Sequence, residues 1–384
     1  MSPPHMNGRE LEYIQQAFAS NWIAPLGENI DAFESAVKGY VGVGGALAVS
    51  SGTAAIHLAL RYAGVMPGDA VFCSDVTFAA SCNPITYLQA EPVLIDSDME
   101  SWCMDPALLA SALHAYKKAG RLPKAVVVVD LYGLPANYDR ILNVCAEFGV
   151  TVIEDAAEAL GASYKGRMCG AFGALNILSF NANKIITTSS GGMVLADDEH
   201  AIQKMKYWAT QARENTPYYE HKEIGYNYRL SNICAGIGRG QMETLDEYVE
   251  ARRAIHRRYR QGIEGLPVSL NPVIEGAQPN FWLTVMVPDQ DCSVSSWQIA
   301  EALNRENIET RPYWKPMHMQ PVYRNRRFFS VNGQKPVGQR LFESGLCLPS
   351  GSALDEDTQG KIIDIIRGCF AAHSRTAGSV EACV

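Results

Sequence analysis

The chain has 384 residues, 47% of them apolar and 19% charged, with a formal net charge of −8. This is a globular composition, long enough for a large domain and a smaller one, and it excludes a disordered or fibrous chain. The negative balance argues against whole-surface attraction to nucleic acid or anionic lipid, so a site for a doubly charged phosphate needs a local patch.

In chain order, short apolar runs predict strands at 46–50, 70–74, 92–96, 124–131, 150–154, 175–180 and 192–197. Helices are predicted between them, at 53–63 and 139–148. The run at 124–131 (KAVVVVDL) is almost continuously apolar, as expected of a strand buried on both faces. Such alternation indicates an α/β architecture, a mostly parallel sheet sandwiched by helices. Beyond it, helices are expected at 199–212 and, unbroken, at 231–260. A strand at 281–287, a helix at 295–305, a strand at 308–311 and a last helix at 355–372 follow. The expected organisation is a large domain at 1–245 that includes an N-terminal arm, a smaller α+β domain at 246–372, and a disordered tail at 373–384.

The ten cysteines are scattered, with no C-x-x-C pair, and read as small buried apolar residues in a reducing cytosol. The start, Met1-Ser2-Pro3-Pro4-His5, has no charged segment ahead of an apolar one, so no signal peptide is expected. No apolar run approaches the ~18 residues of a membrane span. The expected compartment is the cytoplasm, and no metal site is expected.

Three segments suggest chemistry. Val152-Ile153-Glu154-Asp155-Ala156-Ala157-Glu158 is an apolar strand ending in carboxylates, and ligands of open parallel sheets sit beyond such strand ends. On that segment alone, Asp155 could equally cap a helix. Lys184 stands alone among small and polar residues in SFNANK, ahead of TTSSGG. A lone lysine is usually a solvated surface residue, but a crowded one can act as an amine nucleophile. Ser50-Ser51-Gly52-Thr53 joins a strand to a helix, and a helix N-terminus offers free N–H groups to a phosphate. Pyridoxal phosphate (PLP) needs this set: an amine, a carboxylate at the pyridine nitrogen and a phosphate cradle. Phe78 could stack on the ring, its plainer reading being a core aromatic.

Together, SGTAAIHLAL, EDAAEALG, SFNANK with TTSSGGMV, and GYNYRLSNICAGIG resemble, in order, the motifs of the DegT-type sugar aminotransferases, a branch of the fold-type I PLP enzymes. The resemblance implies that Lys184 carries the cofactor and moves protons, that Asp155 partners the pyridinium, and that Glu158 lies beside the ring oxygen. It also implies phosphate contacts from Gly52, Thr53 and Ser179, stacking by Phe78, and a reach by Asn227 into the neighbouring subunit of a homodimer.

The segments NWIAPLGE, TQAREN and ETRPYWKPMH are similar to those of bacterial UDP-N-acetylbacillosamine transaminases. That likeness implies amino transfer from L-glutamate to C4 of a UDP-linked keto sugar. It implies sugar-nucleotide contacts from Asn21, Trp22, Ile23 and Ala24 and from Trp314, Lys315, Pro316, Met317 and His318, with Arg229 at the diphosphate. The rival readings are amination at C3 or of a dTDP- or GDP-linked sugar, a dehydratase of the same fold, which would carry His in place of Lys184, and a non-enzymatic regulator.

Overall fold

The structure is a computed structural model that describes residues 1–381, with side chains through residue 371. Its centre is an eight-stranded sheet in the order Gly45–Val49, Gly192–Ala196, Leu175–Ser179, Thr151–Asp155, Ala125–Val129, Ala70–Ser74, Glu91–Ile95 and Phe328–Phe329. Gly192–Ala196 pairs antiparallel with both of its neighbours, and every other pairing is parallel. The sheet is buried on both faces because its strands are apolar on both. Phe72, Val126, Val128 and Val152 pack into one apolar cluster, while Val71, Cys73, Val127 and Ile153 pack into another on the opposite side. This is the alternation of a strand with period two, with both sets of side chains covered by helices.

The covering helices carry their own start signals. Ser51, Asp105, Asn137, Asp198 and Ser231 each accept a first-turn N–H through the side chain. The C-terminal part builds a second sheet of four short strands, Val268–Leu270, Thr284–Pro288, Leu346–Leu348 and Arg311–Pro312. Its core joins Ile255 and Tyr259 to Ile299, Leu303, Ile362 and Ile366.

Several expectations are corrected. The helix predicted at 231–260 is two helices, Asn232–Met242 and Leu245–Gly262. The chain leaves helical geometry at Thr244 (φ −122°), where i→i−3 bonds tighten the last turn of the first helix. The strand predicted from 281 begins at Thr284, because Phe281 turns the chain with φ 49°. That predicted at 308–311 is the shorter Arg311–Pro312. Helices Arg9–Ala19, Glu28–Val41, Pro106–Lys118 and Val337–Ser344, and strand Phe328–Phe329, had not been predicted. The last helix spans Glu356–Glu381, past the limit at 372, and positions 382–384 of the expected tail lie outside the described residues. Among the described residues no helix is long and apolar enough to cross a membrane.

The N-terminal helix reaches its place through glycines. Arg9–Ala19 lies on Asn232–Met242, and a Cβ on Gly240 would come 2.6 Å from the backbone nitrogen of Glu10. Glu10 is buried there, accepting from the backbone N–H groups of Asn7 and Gly8 and from Gln241. Gly240→Ala should force the helices apart at a cost of roughly 1–3 kcal/mol. The check is thermal unfolding, with a midpoint lower by a few degrees expected and an unchanged midpoint counting against this packing.

Candidate active site

The carboxyl ends of the parallel strands meet in one cavity of about 730 Å³. Asp155, Glu158, Ser51, Gly52, Thr53, Phe78, Ser179, Lys184, Trp282 and Trp314 all line it. Thus residues far apart in the chain, and read separately as an amine, a carboxylate and a phosphate cradle, converge on one space.

Asp155 ends its strand, 5% exposed. Its Oδ2 accepts from Ser81 Oγ at 2.6 Å and its Oδ1 from the Ala157 N–H at 3.2 Å. Burial pushes its pKa up, while the Ser81 hydroxyl, the Lys184 charge and the Ala157 N–H pull it back. A buried carboxylate that faces a cavity and is short of a counter-charge suits a protonated ring nitrogen.

Glu158 is held by an unusual turn. Tyr132 (φ 55°) and Gly133 (φ 84°) take left-handed backbone, and this aims the Tyr132 N–H at Glu158 Oε2, 2.6 Å away. A side chain at Gly133 could not fit, since its Cβ would fall 1.8 Å from Asn280 Oδ1. Lys184 Nζ lies 3.6 Å from Glu158 Oε1 and 4.2 Å from the centroid of the Trp282 ring. The turn bearing Lys184 is closed by its own N–H to the Asn181 carbonyl at 3.0 Å.

The strand-to-helix turn at Ser51, Gly52 and Thr53 offers neutral donors. Ser51 caps helix Gly52–Tyr62 by accepting the Ala54 N–H, and the N–H groups ahead of it have no intrahelical acceptor. Backbone approach there is close. A Cβ on Gly192 would meet the Ser51 carbonyl carbon at 2.4 Å, and one on Gly52 would meet Ser179 Cβ at 3.3 Å. Phe78, 63% exposed, stands over the opening with its ring 5.8 Å from that of Trp314. A carboxylate below, an aromatic ring at the opening, a lysine beside it and a dipolar cradle fit PLP.

Other expected residues sit elsewhere. Arg229 does not line the cavity: its guanidinium is buried against Glu34 Oε1 (2.8 Å) and the Ala48 carbonyl (3.0 Å). Of the loop that follows Tyr313, only Trp314 reaches the cavity. Pro316 is buried against Gly338, and Met317 is part of the apolar core. His318 is bound to the Asp75 carboxylate, with Nδ1 2.6 Å from Oδ2, and stacks on Phe328. Lys315 does not line the cavity; its carbonyl accepts from Gln320. Asn21, Trp22, Ile23 and Ala24 form a turn outside the cavity, clamped by Asn232 through the carbonyls of Trp22 and Ala24, with Trp22 and Ile23 exposed. Asn227 is exposed, bridging to Thr210.

The sequence reading missed Ser81, Tyr132, Ser2 and Trp282. Ser81 was within reach, four residues after Thr77 in the same small-residue run. Trp282, almost a hundred residues from Lys184, carried no local signal.

Burial raises Glu158 from 4.5 to about 7, against the pull of Lys184 and the Tyr132 N–H. The folded protein therefore holds this proton more tightly than the unfolded chain does. The resulting stability is complete below 4.5 and is lost as pH rises through about 7. Glu158→Gln lacks that loss. In cofactor-free protein, the wild-type thermal midpoint should fall relative to Glu158→Gln between about pH 5 and about pH 8. Parallel profiles would contradict the assignment.

Comparison with known proteins agrees with this geometry. The profile of the DegT/DnrJ/EryC1/StrS aminotransferase family matches residues 4–367. The chain is 51% identical over 371 residues to EpsN of Bacillus subtilis, described as a pyridoxal phosphate-dependent aminotransferase, covering 96% of this chain and 95% of EpsN. It is 32% identical to the GDP-perosamine synthase of Vibrio cholerae, over 96% of this chain and 98% of that one. A crystal structure of a DegT/DnrJ/EryC1/StrS aminotransferase from Brucella abortus superposes with a TM-score of 0.87 at 32% identity, covering 94% of this chain and 95% of that one. The chain belongs to the DegT/DnrJ/EryC1/StrS aminotransferase family and is a pyridoxal phosphate-dependent sugar aminotransferase.

Proposed function

We propose that the enzyme moves the amino group of L-glutamate to C4 of UDP-2-acetamido-2,6-dideoxy-hexos-4-ulose, giving a UDP-4-amino-4,6-dideoxy-N-acetylhexosamine and 2-oxoglutarate. The observation that carries the reaction class is the meeting of Lys184, Asp155 and the Gly52-Thr53 helix start in one cavity. The sugar and nucleotide rest on the likeness of the loops around Trp22 and Trp314 to those of UDP-N-acetylbacillosamine transaminases.

When bound, PLP supplies a carbonyl for the substrate amine and an electron sink for the carbanion. Lys184 would hold the cofactor through its amine, and the same amine is placed to carry a proton to and from the substrate carbon. Asp155 keeps the ring nitrogen protonated. Ser81 keeps Asp155 turned toward the cavity through its 2.6 Å hydrogen bond. Gly52, Thr53 and Ser179 would hold the phosphate, Phe78 would cover the ring, and Glu158 would lie beside the ring oxygen. Asn227 is exposed and outside its own cavity, which suits a contact with the phosphate of a second subunit in a homodimer.

A second reading, C4 amination of a GDP-linked sugar, is favoured by the full-length likeness to a GDP-perosamine synthase. The loops decide between the two, because the cofactor residues serve both.

Lys184→Ala should fold normally and lose at least about 10³-fold in turnover, since it removes both anchor and proton carrier. A variant with full rate would end this assignment. For the substrate, glutamate and a panel of UDP-, dTDP- and GDP-linked 4-keto and 3-keto sugars should give the highest kcat/KM with the UDP-linked 4-keto-6-deoxy-N-acetylhexosamine, with product configuration read by NMR. A roughly tenfold preference for a GDP-linked sugar, worth about 1.4 kcal/mol, would replace the UDP reading.

A further inference from the structure

The cavity around Lys184 is rich in acids. Asp155 and Glu158 line its interior, and Glu309 lines it from the C-terminal part of the chain. Among the described residues that line it, Lys184 and Arg311 have cationic side chains, and the Met1 α-ammonium, 3.3 Å from Glu309 Oε2, is a third cation. Lys184 is committed to the reacting centre, 3.6 Å from Glu158. The Met1 ammonium is a point charge set against Glu309, so the planar guanidinium of Arg311 is the cation shaped for a carboxylate.

The backbone of Arg311 is fixed and its head is free. Strand Arg311–Pro312 is held in register by Leu346–Leu348, with Arg311 opposite Cys347, a buried residue that lines the same cavity. The side chain is 68% exposed and pairs with Glu309, Nη2 to Oε1 at 2.5 Å. An ion pair so exposed is weak, because water screens it and two long side chains must be ordered to make it. It keeps the guanidinium at the cavity without consuming it.

An amino acid donor must bring its carboxylate past Glu309 and come to rest near Asp155 and Glu158. Without a cation, that approach is repulsive and the desolvated carboxylate has no partner. A guanidinium offers a planar fork that matches a carboxylate with two parallel hydrogen bonds. We propose that Arg311 anchors a carboxylate of the amino donor, exchanging Glu309 for the ligand as the donor enters. The assignment rests on the aminotransferase reading with glutamate as donor.

The first half-reaction isolates it, because glutamate alone discharges its amino group onto the holoenzyme and bleaches the visible band before any sugar is present. Arg311→Gln should raise the glutamate concentration for half-maximal rate roughly ten- to hundred-fold, with the limiting rate within about threefold of wild type. Calorimetric binding of glutarate, which has no amino group and cannot react, should weaken by a similar factor, and Arg311→Lys should lose less. The exposed position predicts an unchanged thermal midpoint, so misfolding does not account for the loss. An Arg311→Gln holoenzyme that keeps wild-type affinity for glutamate and glutarate overturns the assignment. So does a variant whose sole defect is a raised KM for the nucleotide sugar, which would give the guanidinium to the diphosphate. A wild type that ignores glutamate overturns the glutamate reading and this assignment together, whereas an unchanged variant beside a responsive wild type overturns the assignment alone.

Discussion

Two donors converge on the backbone carbonyl of Asn183, the residue before Lys184: the indole Nε1 of Trp282 at 2.6 Å and the hydroxyl of Ser2 at 2.9 Å. The rest of the site depends on this junction. It joins the Lys184 turn, the beginning of the chain and a residue from the C-terminal part. It also fixes the plane of the Trp282 ring, over which the Lys184 ammonium lies at 4.2 Å. A cation over a tryptophan face is attracted most when both are withdrawn from water, as here. Behind Trp282 stands Arg252, fully buried, donating to the carbonyls of Trp282 (2.7 Å) and Ser350 (2.9 Å) and to Ser2 Oγ (3.0 Å). Burial lowers its pKa to about 10, so it stays charged at neutral pH. Three oxygen acceptors, none of them a carboxylate, support that charge, and losing any one leaves part of a buried guanidinium unpaired.

The same economy governs the acids at the strand ends. Glu154 is fully buried yet accepts from the N–H groups of Gly170 and Phe172, both at 2.6 Å. Its neighbour Asp130 accepts from the Ala136 N–H and the Tyr138 hydroxyl through Oδ1, while its Oδ2 has no partner among the described residues. Burial and the nearby Glu154 push the Asp130 carboxyl well above the usual range. That disfavouring of charge matters at the cavity next to these acids. Asp130 starts the turn that aims Tyr132 at Glu158, and Glu154 precedes Asp155. A second full charge there would add to the repulsion that Asp155 and Glu158 already feel. The scaffold thus opens the cavity to Asp155 and Glu158 and holds the acids behind it in hydrogen bonds.

Much of this was legible in the sequence, and the reason is local. Strands such as Ala125–Val129 are apolar on both faces, and helix Gly52–Tyr62 opens with a capping serine, so their place can be read from a few neighbours. The cavity residues at strand ends, Asp155 and Ser179 among them, inherit that legibility. What failed depended on distant partners. Helix Arg9–Ala19 shows no local need for Gly240 of Asn232–Met242, whose place against the Glu10 backbone appears only in the fold. Arg229 reads as a free cation until Glu34 and the Ala48 carbonyl enclose it. His318 reads as a loop contact until Asp75, more than two hundred residues earlier, takes both its ring N–H and its backbone N–H.

His318 and Trp314 show how such a distant contact still shapes the site. Asp75 follows strand Ala70–Ser74 and lies three residues before Phe78, and its carboxylate pins the loop at His318. The loop's other end is pinned where the Trp314 N–H donates to the Tyr132 hydroxyl at 2.9 Å. Tyr132 in turn holds Glu158. One loop therefore ties the residue that covers the cavity to the acid inside it, and ties both to the strand that presents Phe78. Side chains that never reach the cavity set the spacing between Phe78 and Trp314. Their rings, with centroids 5.8 Å apart, touch at the rim of the cavity, so the scaffold presents them together as one apolar edge beside which a ligand enters.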